Sequence, residues 1–63
     1  MMLAQRFQVG ERVCVLQPIG WINTRSRGTI ARVFFGMDTY GVCFDEAGSI
    51  RVVPGRLLEH LSD

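Results

Sequence analysis

The chain has 63 residues, room for one small domain, and at 48% hydrophobic content it is too apolar for disorder. Seven basic side chains against six acids leave a net charge of +1, which argues against strong non-specific nucleic-acid binding. No apolar run approaches the roughly 18 residues of a membrane span, and the first six residues lack the apolar stretch of a signal peptide.

A chain this short buries only about 60% of the surface its unfolded form exposes, so it needs disulfides, a metal, dense packing or a partner subunit. The two cysteines, Cys14 and Cys43, lack C-x-x-C spacing, and His60 is the one histidine. No metal set follows from them without carboxylates, and no cofactor is implied. Unpaired thiols without an export signal point to a reducing cytoplasm. Packing and self-association remain.

Residues 1–6 read as a frayed start to a single domain spanning 1–63. After the Gly10-Glu11 turn, residues 12–16 alternate as a half-buried strand with Val13 and Val15 inward and Cys14 outward. Pro18 and Gly20 end it. A long polar loop follows over residues 17–27, carrying Trp21, Arg25 and Arg27. Residues 28–35 are β-branched and aromatic, and Ile30 and Val33 share a face only if the strand bulges near Ala31 or Arg32. Either Phe34 or Phe35 must then point outward.

Gly36-Met37-Asp38 turns the chain into the clearest strand, residues 39–45, with Tyr40, Val42 and Phe44 on the inner face and Cys43 outside. A Glu46-Ala47-Gly48 turn leads to residues 49–53. There the alternation assigns Ile50 and Val52 inward, Arg51 and Val53 outward. Residues 54–57 form a 3₁₀ turn, and residues 58–61 a closing strand. With no 3.6-residue periodicity, the pattern predicts an all-β chain, a small five-stranded SH3-like barrel.

Few residues carry chemistry. His60, beside Glu59 with no serine or cysteine placed to be its nucleophile, reads as a solvated or capping side chain rather than a general base. Asp45 and Glu46 read as turn acids. Trp21, Arg25 and Arg27 form a possible ligand loop, able to stack a base or hold a phosphate or carboxylate, although a large aromatic also serves to cover a barrel end. Cys14, Cys43 and Val53, with Arg51 beside them, are the expected outward apolar face and hence an interface.

Val13-Cys14-Val15-Leu16-Gln17-Pro18, Trp21, Gly28-Thr29-Ile30-Ala31-Arg32-Val33 and Tyr40-Gly41-Val42-Cys43-Phe44-Asp45 together resemble the SH3-like electron-transport accessory group. That group includes the PsaE-type photosystem I subunit, the nitrile hydratase β-subunit barrel and plasmid-encoded type II dihydrofolate reductase. Ser49-Ile50-Arg51-Val52-Val53-Pro54 with Leu58-Glu59, and Phe7-x-x-Gly10-Glu11-Arg12-Val13, resemble the reductase motifs more closely. The resemblance implies a ring of four barrels around a pore that binds folate and NADPH. Its pore-lining Gln, Tyr and Lys positions fall here at Arg51, Val53 and Val15, so the polar groups of that site are replaced.

Three functional expectations follow. The first is a non-enzymatic interaction domain, homo-oligomeric (dimer ranked above tetramer) or an accessory subunit with a protein partner. The second is a divergent pore-forming relative of the reductase. The third is a nucleic-acid module using the Trp21–Arg27 loop, disfavoured by the near-neutral charge.

Overall fold

The computed structural model describes residues 6–61. Five strands follow in chain order: β1 (Arg12–Val15), β2 (Arg27–Phe34), β3 (Thr39–Phe44), β4 (Ile50–Pro54) and β5 (Leu58–His60). A one-turn 3₁₀ helix, Gly55–Leu57, joins the last two. They form one antiparallel sheet in the order β4-β3-β2-β1-β5. The edge strands β4 and β5 are therefore consecutive in sequence, separated only by the 3₁₀ turn. Such a short link forces the sheet to curl until its two edges approach. Val53 from one edge and Leu58 from the other accordingly share one core. This is the SH3-like barrel that the pattern predicts.

The core comprises Phe7, Val13, Val15, Ile22, Ile30, Tyr40, Val42, Phe44, Val53 and Leu58, with Ile19, Val33 and Leu57 packed at its margin. Cross-strand register explains the selection, since directly opposed residues share a face. Gly28 sits opposite Val13 and Phe44, Ile30 opposite Val42, and Tyr40 opposite Val53. The expected bulge lies between Ile30 and Arg32, and lets Val33 rejoin the inner face against Tyr40. Gly28 is obligatory for a steric reason: a Cβ there would stand 2.7 Å from Val42 Cγ1 and 2.8 Å from the Cys43 carbonyl oxygen.

Several expectations are corrected. Val53, assigned outward, is wholly buried, while Ile50 and Val52, assigned inward, are 58% and 62% exposed. The register explains this: Val53 pairs with inward Tyr40, and Val52 with Gly41 on the outer face. Cys14 lies outside the core cluster yet is only 6% exposed. It is flanked by Arg27 and Glu59 on the neighbouring strands, so it offers no free surface. Leu61, in the expected closing strand, follows β5 and is half-buried.

Arg6, expected to fray, is engaged. Its backbone N–H donates to Tyr40 Oη at 3.1 Å and its guanidinium to the Gly55 carbonyl at 3.2 Å. The remainder of the expected frayed segment, residues 1–5, lies outside the described residues. Phe7, unassigned by the alternation, plugs the core with its ring edge-on to Tyr40 at 5.1 Å.

Candidate functional site

Two surface regions bring together the residues with chemical or adhesive potential. The first is built on the β1–β2 loop. A reciprocal bridge pins it, with Ile19 and Ile22 each donating an N–H to the other's carbonyl at 2.9 and 2.8 Å. Ile22 is thereby driven into the core while its neighbour Trp21 is left 55% exposed. Further along, Arg25 adopts a left-handed conformation (φ 70°), uncommon for a non-glycine residue, and its N–H donates to the Val15 carbonyl at 2.7 Å.

Between this loop and the β3–β4 turn lies a cleft of about 200 Å³. Trp21, Arg25 and Arg27 line the loop side, and Phe44, Asp45 and Glu46 the turn side. The structure thus brings the expected loop residues Trp21, Arg25 and Arg27 to one place. Arg51 joins from outside the cleft, its guanidinium 5.1 Å from the centroid of the Trp21 ring. Trp21 is therefore not folded down over the barrel end but stands as a wall with a cation against it.

The acids of the turn are unequal. Arg12 grips Asp45 through both carboxylate oxygens at 2.8 and 2.6 Å and also donates to Thr29 Oγ1 at 2.8 Å. These hydrogen bonds from Arg12, reinforced by its charge and that of Arg27, hold the Asp45 carboxyl below its ordinary range. Glu46 has no ion pair among the described residues.

The second region is the free edge of β4 and the outer face behind it. Ile50, Val52 and half-buried Cys43 lie together there, and Gly41 leaves space for them: a Cβ on Gly41 would stand 3.2 Å from Ile50 Cγ2. Phe34 is half-buried on the same face, and Phe35, in the adjoining turn, is 82% exposed. A hollow of about 430 Å³ separates Ile50 and Val52 from Ile19 and Gly20. Of the four residues expected at an interface, Cys43 and Arg51 remain at the surface, whereas Cys14 and Val53 are buried.

His60 belongs to neither region. Its imidazole donates to Glu11 at 2.8 Å and stacks at a tilt on Phe7, 4.5 Å between centroids. This ties the Gln8–Glu11 turn to β5. Among the described residues no group of three or more His, Cys, Asp and Glu gathers as a metal set. No described helix is long and apolar enough to cross a membrane.

The fold and these two regions define a small all-β barrel with an aromatic–arginine cleft and an apolar sheet edge. No family model, curated protein or solved structure matches the chain.

Proposed function

We propose that this protein is a non-enzymatic interaction domain of a reducing, cytoplasmic setting that associates with a second copy of itself through the β4 edge. The observation that carries the reading is the polarity of that edge. Phe44 donates to the Ser49 carbonyl and Gly55 to the Asp38 carbonyl, at 3.3 and 2.7 Å. Hydrogen-bonded pairs alternate in an antiparallel ladder, so Arg51 and Val53 bond β3 while Ile50 and Val52 direct N–H and C=O groups outward. An edge with free donors and acceptors and exposed apolar side chains is a template for strand pairing.

Antiparallel two-fold pairing also fixes its own register. Pro54 has no N–H, and the Gly48 N–H is already donated to the Phe44 carbonyl at 2.8 Å. The arrangement that uses both free residues sets Ile50 against Val52 of the second copy, and joins their apolar side chains across the outer face. It also sets Arg51 opposite its own copy, a like-charge contact that costs stability. A closed two-fold contact is the commonest oligomeric solution. A tetrameric ring would gather more of these guanidiniums, which favours the dimer.

The pore-forming reading has less support. Val15 and Val53, which the resemblance assigns to pore-lining positions, are wholly buried. The test is Val52→Lys, which places a charge on the free edge. The expected outcome is a monomer of unchanged fold by light scattering and circular dichroism. An oligomer that persists in Val52→Lys moves the interface elsewhere.

A further inference from the structure

We infer that the cleft between the β1–β2 loop and the β3–β4 turn is a binding site for one nucleotide unit: a base laid against Trp21 and its phosphate held by Arg25 and Arg27. The site uses neither Ile50 nor Val52 and meets β4 only through Arg51, which lies against Trp21.

Three features of the cleft select this chemistry. The first is the flat wall. Trp21 is more than half exposed, and Arg51, which does not line the cleft, already lies against its ring. An aromatic surface fixed from outside is a stacking platform, and nucleobases stack on such surfaces whatever their sequence. The second is a pair of guanidiniums at the loop side. Neither Arg25 nor Arg27 has an ion pair among the described residues; Arg27 meets Asp45 through the backbone, its carbonyl accepting the Asp45 N–H at 3.0 Å. Planar guanidiniums suit phosphate oxygens.

The third feature discriminates between anionic ligands. The opposite side of the cleft is acidic. Asp45 is committed to Arg12, which leaves Glu46 as the available acceptor. An acidic peptide would bring further carboxylates against Glu46 and Asp45, where like charges repel, and its acidic side chains offer Trp21 no flat ring. A nucleotide offers phosphate acceptors to the arginines and exocyclic or ring N–H donors to the carboxylate, around one flat ring. At about 200 Å³ the cleft falls below the range of roughly 300–1,000 Å³ usual for drug-sized ligands, which limits it to a single unit.

Trp21 is the protein's one tryptophan, so its fluorescence reports the cleft directly. The experiment titrates the purified protein with adenosine and cytidine 5′-monophosphates, inorganic phosphate, adenosine, a tetranucleotide and an acidic hexapeptide. Saturable quenching by the mononucleotides at about 1 mM or below is expected, with phosphate or adenosine alone weaker by about tenfold. Arg25→Ala should weaken the mononucleotides by about tenfold while the melting temperature stays unchanged. A tetranucleotide binding more tightly than the mononucleotides identifies a single strand as the source; equal affinity identifies a free nucleotide. Both uphold the site. It is overturned by an absence of saturable quenching, by quenching indifferent to Arg25→Ala, by inorganic phosphate equalling the mononucleotides, or by the acidic peptide binding as well as they do.

Discussion

Gly55 shows how one missing side chain organises the closure of the barrel. A Cβ there would stand 2.5 Å from Asp38 Oδ1, the oxygen that accepts from Tyr40 Oη at 3.0 Å. Arg6 completes this polar knot, 3.7 Å from Asp38 Oδ2. Gly55→Ala must therefore push Asp38 away and loosen Tyr40, at a cost of about 1–3 kcal/mol. Chemical denaturation measures it, and a variant as stable as the parent would show that the turn yields freely. Asp45 makes a second residue-scale prediction. Its carboxyl is held low chiefly by the hydrogen bonds from Arg12. The stabilisation it gives is present above the unfolded-state pKa of about 3.9 and is lost as pH falls through the lower folded value. In Arg12→Gln its NMR titration midpoint should move up toward the ordinary range, and an unmoved midpoint would remove Arg12 as the cause. The thiols should also separate: Cys43, half-buried, should react with a thiol reagent faster than Cys14, which is 6% exposed and covered by Arg27 and Glu59. They cannot bridge within one chain, because β2 lies between their strands and two strand spacings are about 10 Å.

At the scale of elements, most of the ladder was legible in sequence. Alternation identified the inner residues of β1 and β3, the mismatch of Ile30 and Val33 located the bulge, and Pro54-Gly55 marked the 3₁₀ turn. β4 was not legible, for a definite reason. A three-residue turn over residues 46–48 would set Asp45 against Ser49 and turn Ile50 inward. The actual turn has four residues, so Phe44 pairs with Ser49, and every later side chain changes face. Apolar residues occupy both faces of this strand, so composition could not choose. Phe7 was likewise illegible because it precedes any strand and its burial depends on contacts with Tyr40 and His60. Of the cleft, sequence supplied Trp21, Arg25 and Arg27 but not Arg51, whose approach depends on the β4 register. Two consequences follow for β4. Val53→Asp buries a charge in the core and should unfold the domain, whereas Val52→Lys should change stability by no more than about 0.5 kcal/mol. In hydrogen exchange on a monomeric sample, the amides of Arg51 and Val53 should be protected and those of Ile50 and Val52 should exchange quickly. The reverse pattern would refute the assigned edge.

The described residues form a sheet whose two edges meet through one short turn, and among them the same closure leaves β4 with an unpaired side. Apolar surface left wet on that side forfeits roughly 25 cal/mol for each Å² that could be buried, a material loss for a barrel of this size. Charge then sets the character of the association. Pairing that opposes Arg51 to its own copy is repulsive, so added salt should strengthen self-association. Nucleotide binding at Arg25 and Arg27 should instead weaken with salt, since there the charges attract. The two proposed activities therefore respond oppositely to ionic strength. The most direct test of the central claim is the solution mass by analytical ultracentrifugation of the parent and of Val52→Lys at high micromolar concentration. A dimer is expected for the parent and a folded monomer for Val52→Lys. A monomeric parent, or a dimer that Val52→Lys leaves intact, would contradict it.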